Sequence, residues 1–138
     1  MKTGAAPGEI ERKTPSLATI QGLVHEVLDG VIAHMGQVLE ADVPFINEIS
    51  FHLQQMRGKL FRPVLLALSN RIEEEPDPRE ISLGSVIEII HLASLVHDDS
   101  IDESALRRGM PTLNDKWDHK VSVIMGDYLY SRAMSEIT

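Results

Sequence analysis

Apolar residues recur at three- and four-residue steps along almost the whole chain, and that period fixes what it can fold into. Leu17, Ile20, Leu23, Val24, Val27, Leu28, Val31, Ile32, Met35, Val38 and Leu39 make one stripe about six helical turns long. Thr14 and Pro15 are its start signal, the hydroxyl as cap and Pro at the first helical position. Pro44 opens a second helix with Phe45, Ile49, Leu53 and Met56 on one face, and Gly58 breaks it. Residues 63–72 are hydrophobic at their centre and read as a segment buried all round. An acidic turn over 73–78 follows. Asp77, Pro78 and Glu80 then make a capping-box-like start for a helix through Ile81, Val86, Ile87, Ile89, Ile90, Ala93 and Val96 towards Asp102. Gly109 and Pro111 mark 107–112 as a loop. The last helix starts near Asp118 or His119 and carries Val121, Ile124, Met125, Tyr128, Leu129, Ala133 and Ile137. No alternating strand pattern and no internal repeat appears. The expectation is an all-α fold over 14–138 behind a flexible tail at 1–13.

Composition narrows the function. Thirteen basic and 21 acidic residues leave a formal charge of −8, which disfavours nonspecific binding of nucleic acid. The absence of cysteine rules out a disulfide scaffold and a thiolate metal site. It fits a reducing cytoplasm. The longest clean apolar run, 64–68, is far short of the roughly 20 residues of a membrane span, and the first residues lack a signal-peptide pattern. The helical pattern still runs at Thr138 with no stop signal behind it, so the expected fold continues past this sequence.

The chemistry concentrates near the end of the fourth helical segment. On a helix, Asp98 lies about 20° from His91, and Asp102 about 40° from Asp98. His91, Asp98 and Asp102 thus share a stripe, flanked by Asp99. Carboxylates four residues apart repel, and acids at a helix C-terminus oppose the macrodipole. A bound cation is the natural compensation, and hard oxygen ligands point to Mg²⁺. The plainer alternative is a solvated acidic helix end. Arg107 and Arg108, on a Gly-containing turn, can face different anions; their plainer partners are Asp98, Asp99, Asp102 or Glu103. Upstream, Lys59 and Arg62 stand three apart at a helix entry, where both can reach one anion. An acidic chain that gathers these four cations beside a carboxylate cluster suggests a site for two anions.

Four motifs, taken together and in order, resemble the trans-isoprenyl diphosphate synthases (polyprenyl synthetases). They are Gly58-Lys59-x-x-Arg62-Pro63; Glu88-x-x-His91-x-x-Ser94-Leu95-x-His97-Asp98-Asp99-x-x-Asp102; Arg107-Arg108-Gly109-x-Pro111-Thr112; and Gly126-Asp127-Tyr128-Leu129. The resemblance covers nearly everything from Leu17 onward. It implies an all-α bundle around an apolar cavity, and Mg²⁺-dependent head-to-tail transfer of an allylic prenyl group to isopentenyl diphosphate. It implies that Asp98 and Asp102 hold Mg²⁺ with Asp99 in support. Arg107 would bind the allylic diphosphate, and Lys59, Arg62, His91 and Arg108 that of isopentenyl diphosphate. Small residues at Ala93 and Ser94, just ahead of the aspartates, imply a deep pocket and a medium- or long-chain product.

The family's second aspartate-rich cluster is missing from this sequence; residues 115–118 have the wrong pattern. The expectation is therefore the N-terminal part of such an enzyme, without turnover alone, and prone to dimerise or self-associate through an exposed apolar wall. Three alternatives remain. A class I terpene cyclase needs no second anion site, so the four cations count against it. A noncatalytic subunit that binds prenyl diphosphate or regulates a partner is compatible with the missing half. A purely structural bundle would leave the carboxylates without a ligand.

Overall fold

The computed structural model describes residues 14–72 and 77–138. The expected tail at 1–13 and most of the acidic turn lie outside them. Among the described residues seven helices follow one another: α1 (Leu17–Gly22), α2 (His25–Val38), α3 (Pro44–Gln55), α4 (Phe61–Asn70), α5 (Glu80–Ile101), α6 (Leu113–Lys116) and α7 (His119–Ile137). Between α5 and α6 stands a minimal antiparallel hairpin, β1 (Leu106–Arg107) paired with β2 (Met110–Pro111). The all-α expectation holds, with this two-residue ladder as the one addition.

Several boundaries differ from the sequence reading. The first stripe is two helices, because the backbone turns at Leu23–Val24 and Val24 leaves the helical region at φ −126°. The cap is Ser16, whose Oγ accepts from the Thr19 amide at 3.1 Å, and not Thr14. The capping box ahead of α5 does not form. Asp77 instead accepts from the Arg79 amide and guanidinium, and Glu80 accepts from the Asn70 side chain. Residues 63–72 are not buried all round: Leu65 is 50% exposed and Ile72 84%. Pro44 at the start of α3 and Asp118 as the cap of α7 agree with the sequence.

Helix α5 is the axle. It packs most extensively on α7, then on α2 and α4. Ile89, Leu92, Ala93 and Val96 are buried along it, and Leu129 and Ala133 of α7 are wholly buried. Each large apolar side chain so removed from water stabilises the fold by about 1.5–3 kcal/mol. Helix α5 is also long and apolar enough to cross a membrane by length and composition alone. Run length misses this because Glu88 and His91 interrupt the apolar residues. A helix apolar on most sides suits a core position too. Two close approaches lock α5 to α7. Ser122 Oγ donates to the Val96 carbonyl at 3.4 Å, and His97 Nε2 donates to the Val123 carbonyl at 3.2 Å. The His97 ring lies where a Cβ on Gly126 would stand, which gives the Gly126 motif a packing reason. The other end of α7 ties to α2, where Arg132 Nε donates to the Val38 carbonyl at 2.6 Å and satisfies a helix-terminal acceptor.

A candidate active site of two anion-binding parts

The end of α5 is shaped by its own termination. Glu103 takes a positive φ of 51°, and the Ser104 amide donates back to the Asp99 carbonyl at 3.0 Å. This is a helix stop of the kind that Gly usually makes. The chain then reverses through the hairpin, whose two turn residues, Arg108 and Gly109, both have positive φ (52° and 78°). Such turns match the right-handed twist of paired strands. Holding a non-glycine residue there costs about 1 kcal/mol. His52 Nε2 donates to the Pro111 carbonyl at 2.9 Å, and Thr112 Oγ1 to the Ser104 carbonyl at 2.6 Å, so the hairpin is fixed on both sides.

The adjacent arginines point to different places. Arg107 grips Asp99 with a two-pronged pair, Nε to Oδ2 at 2.7 Å and Nη2 to Oδ1 at 2.8 Å. Asp99 is buried, and its hydrogen bonds hold the Arg107 guanidinium still more firmly protonated, with Asp98 and Asp102 adding to the effect. Arg108 reaches the other way and donates to the Met56 carbonyl at 3.2 Å. Its guanidinium occupies the space a Cβ on Gly58 would need.

Asp98 and Asp102 remain exposed at the end of α5, and neither side chain has a hydrogen-bond or ion-pair partner among the described residues. Among those residues no three of His, Asp and Glu converge as a ready-made metal site. Both Asp99 oxygens accept from Arg107, so Asp99 meets the exposed pair by way of that arginine. Two unpaired carboxylates one turn apart still suit Mg²⁺, which commonly takes one or two carboxylates and fills its remaining positions with water and phosphate.

Beside this stripe opens a cleft of about 470 Å³. Arg57, Gly58 and Lys59 line it from the α3–α4 loop, Arg62 from the first turn of α4, Glu88 and His91 from α5, and Arg108 from the hairpin. The expected Lys59, Arg62, His91 and Arg108 are thus brought together. Arg57 is a fourth main-wall cation that sequence reading missed, although it directly precedes the Gly58 motif. His91 is half-buried. Burial first, then the charges of Arg62, Arg108 and Arg107, lower its pKa below the usual 6.5, while Asp98 opposes them. An anion in the cleft should reverse this. By proton NMR, the His91 imidazole should titrate below 6.5 in the free chain and shift upward with a diphosphate present. An unmoved midpoint would place the anion elsewhere.

Ala93 and Ser94 part company. Ala93 is buried, one turn ahead of His97 on α5, whereas Ser94 is exposed and its Oγ donates to the His91 carbonyl at 2.7 Å.

Residues 43–138 match the family described as polyprenyl synthetase. The chain is 35% identical over 115 residues to heptaprenyl diphosphate synthase component 2 of Bacillus subtilis, covering 83% of this chain and 33% of that protein. A decaprenyl diphosphate synthase from Rhodobacter capsulatus superposes with a TM-score of 0.83 at 35% identity, over 88% of this chain and 38% of its own. A polyprenyl synthase from Caulobacter crescentus, solved with calcium and isoprenyl diphosphate, superposes with a TM-score of 0.84 at 31% identity, over 91% and 38%. The chain belongs to the polyprenyl synthetase family. It spans about a third of the length of these relatives.

Proposed function

We propose that this chain serves Mg²⁺-dependent head-to-tail prenyl transfer, in which isopentenyl diphosphate is condensed with an allylic prenyl diphosphate. The observation that carries this reading is the cleft itself. Four cations from three separate segments share a cleft with His91, and two unpaired carboxylates stand further along and at the end of the same helix. In the proposed arrangement Arg57, Lys59, Arg62, His91 and Arg108 hold the diphosphate of isopentenyl diphosphate. Asp98 and Asp102 hold Mg²⁺, which supplies charge neutralisation to a departing diphosphate. Arg107, fixed by Asp99, stands beside them to grip the allylic diphosphate. The cleft's second set of cations disfavours a terpene cyclase, which handles one diphosphate. The calcium and isoprenyl diphosphate named for the Caulobacter crescentus protein are the same pairing of hard cation and phosphate ester.

The relatives make hepta- and decaprenyl products by their names, which supports a medium- or long-chain product here. The small Ala93 and Ser94 agree with it. Because Ala93 is buried, a Phe there would strain the α5–α7 packing as well as any pocket. Ser94→Phe is the cleaner probe: in a form of the enzyme with turnover, products should shorten by at least one isoprene unit. Unchanged product length would remove Ser94 from the assignment.

Without a second aspartate-rich cluster, the chain by itself is proposed to bind diphosphate but not to turn over. Val123, Tyr130, Met134 and Ile137 of α7 form an exposed apolar stripe, which supports dimerisation or another helical partner. The name "component 2" of the Bacillus subtilis relative keeps the subunit reading open. A cytoplasmic location fits the acidic, cysteine-free composition.

The test is calorimetric titration of the chain with isopentenyl diphosphate. Lys59→Ala with Arg62→Ala should raise Kd by about a hundredfold and flatten its salt dependence, since two charge-assisted contacts are lost. Binding that ignores both substitutions would sink the proposal.

A further inference from the structure

The cationic cleft contains one residue that its proposed ligand does not explain. Among the described residues Glu88 is the only acidic side chain on the cleft wall, and it is 6% exposed. Its Oε2 is wholly buried with no hydrogen-bond partner among the described residues. An unpartnered buried carboxyl is costly, so its retention inside a core helix calls for a use. Its neighbours on the cleft wall are cations. Arg62 on α4 and Arg108 on the hairpin both act on it electrostatically, opposing the burial that pushes its pKa up. Arg57 and Lys59 line the same wall, and His91 lies one turn further along α5. Four like charges around one cleft repel, and all four side chains stand on segments outside α5. The Met56 carbonyl already holds one side of Arg108. A carboxyl anchored on α5 adds an opposite charge that draws the arginines towards the cleft wall.

We propose that Glu88 is a positioning residue of the cleft: it holds the guanidinium groups of Arg62 and Arg108 over the place where a diphosphate binds. It acts through the arginines and does not touch the ligand, since two anions would repel. Gly58 fits the same arrangement, because its missing Cβ leaves the Arg108 guanidinium the room to lie beside the α3–α4 loop. The proposal rests on the diphosphate reading of the cleft and assigns that site a residue which sets its affinity.

The experiment is a double-mutant cycle on the full chain, with isopentenyl diphosphate as the probe and Kd measured by calorimetry. Glu88→Gln keeps the volume and removes the charge. It should weaken binding by about tenfold in the wild-type background, as expected for one lost charge-assisted interaction. Glu88→Asp should recover part of the loss. In an Arg62→Gln background the effect of Glu88→Gln should shrink to about twofold, because the residue it acts through is gone. Equal or tighter binding by Glu88→Gln, or an undiminished loss in the Arg62→Gln background, would overturn the proposal. If the wild-type chain does not bind the probe, the diphosphate reading falls and this proposal with it. If it binds and Glu88→Gln has no effect, Glu88 alone is excluded. A second measurement does not depend on the Glu88 variants folding. By carbon-detected NMR, the Glu88 carboxyl of Arg62→Gln and of Arg108→Gln should titrate at higher pH than in wild type. A midpoint unchanged in both would also overturn it.

Discussion

Asp98→Asn should abolish the Mg²⁺-dependent part of bisphosphonate binding, raising Kd by about a hundredfold or more in the presence of the metal. The same substitution should leave isopentenyl diphosphate binding in the cationic cleft within about twofold, because Asp98 does not line that cleft. Stability should move the other way. Asp98 and Asp102 are like charges one turn apart at a helix C-terminus, where the macrodipole disfavours both. Without metal, Asp98→Asn should therefore raise Tm slightly. The combination of lost metal response and gained stability separates a built cation site from a solvated helix end, for which neither ligand measurement would change. A variant that keeps full Mg²⁺-dependent binding refutes the assignment of Asp98.

Leu129→Ala should be the most damaging conservative change in the described core. Leu129 is wholly buried on α7, in the pairing with α5 that positions the site from behind. Truncation removes transfer free energy and leaves a cavity, a loss of about 2–5 kcal/mol. Against a typical total of roughly 5–15 kcal/mol, that is a large share. Chemical denaturation should show a lower midpoint with an unchanged slope. Ile137→Ala, on the same helix but 54% exposed, should stay within about 0.5 kcal/mol. Equal losses at the two positions would mean that the α7 register is wrong.

The sequence made the site more legible than the details of the fold. Arg62, His91, Asp98 and Asp102 are set by local spacing on helices or at a helix end, and helical spacing survives folding, while Lys59 sits in the short loop just ahead of α4. Arg107 and Arg108 were readable as a pair able to take divergent targets, because adjacent residues on a turn can point different ways. Which acid Arg107 would choose was not readable. Asp98, Asp99, Asp102 and Glu103 were all near in sequence, and only the left-handed stop at Glu103 and the hairpin behind it select Asp99. The break between α1 and α2 was hidden because apolar steps continue across Leu23 and Val24, although Gly22 was a usable signal. Arg57 and Glu88 were missed for opposite reasons. The first lies just outside a motif. The second lies inside one, but its burial and its missing partner are tertiary facts.

The two-residue turn at Arg108–Gly109 also limits how a chain like this can drift by insertion or deletion. Strand side chains alternate faces, so adding or removing one residue between β1 and β2 would flip the hairpin's register. Arg107 would then leave Asp99, and Arg108 would leave Met56, in a single step. Exposed loops elsewhere can change length at little thermodynamic cost. Here length is held by geometry, because one peptide bond sets the aim of two arginines, one towards a carboxylate and one towards a backbone carbonyl.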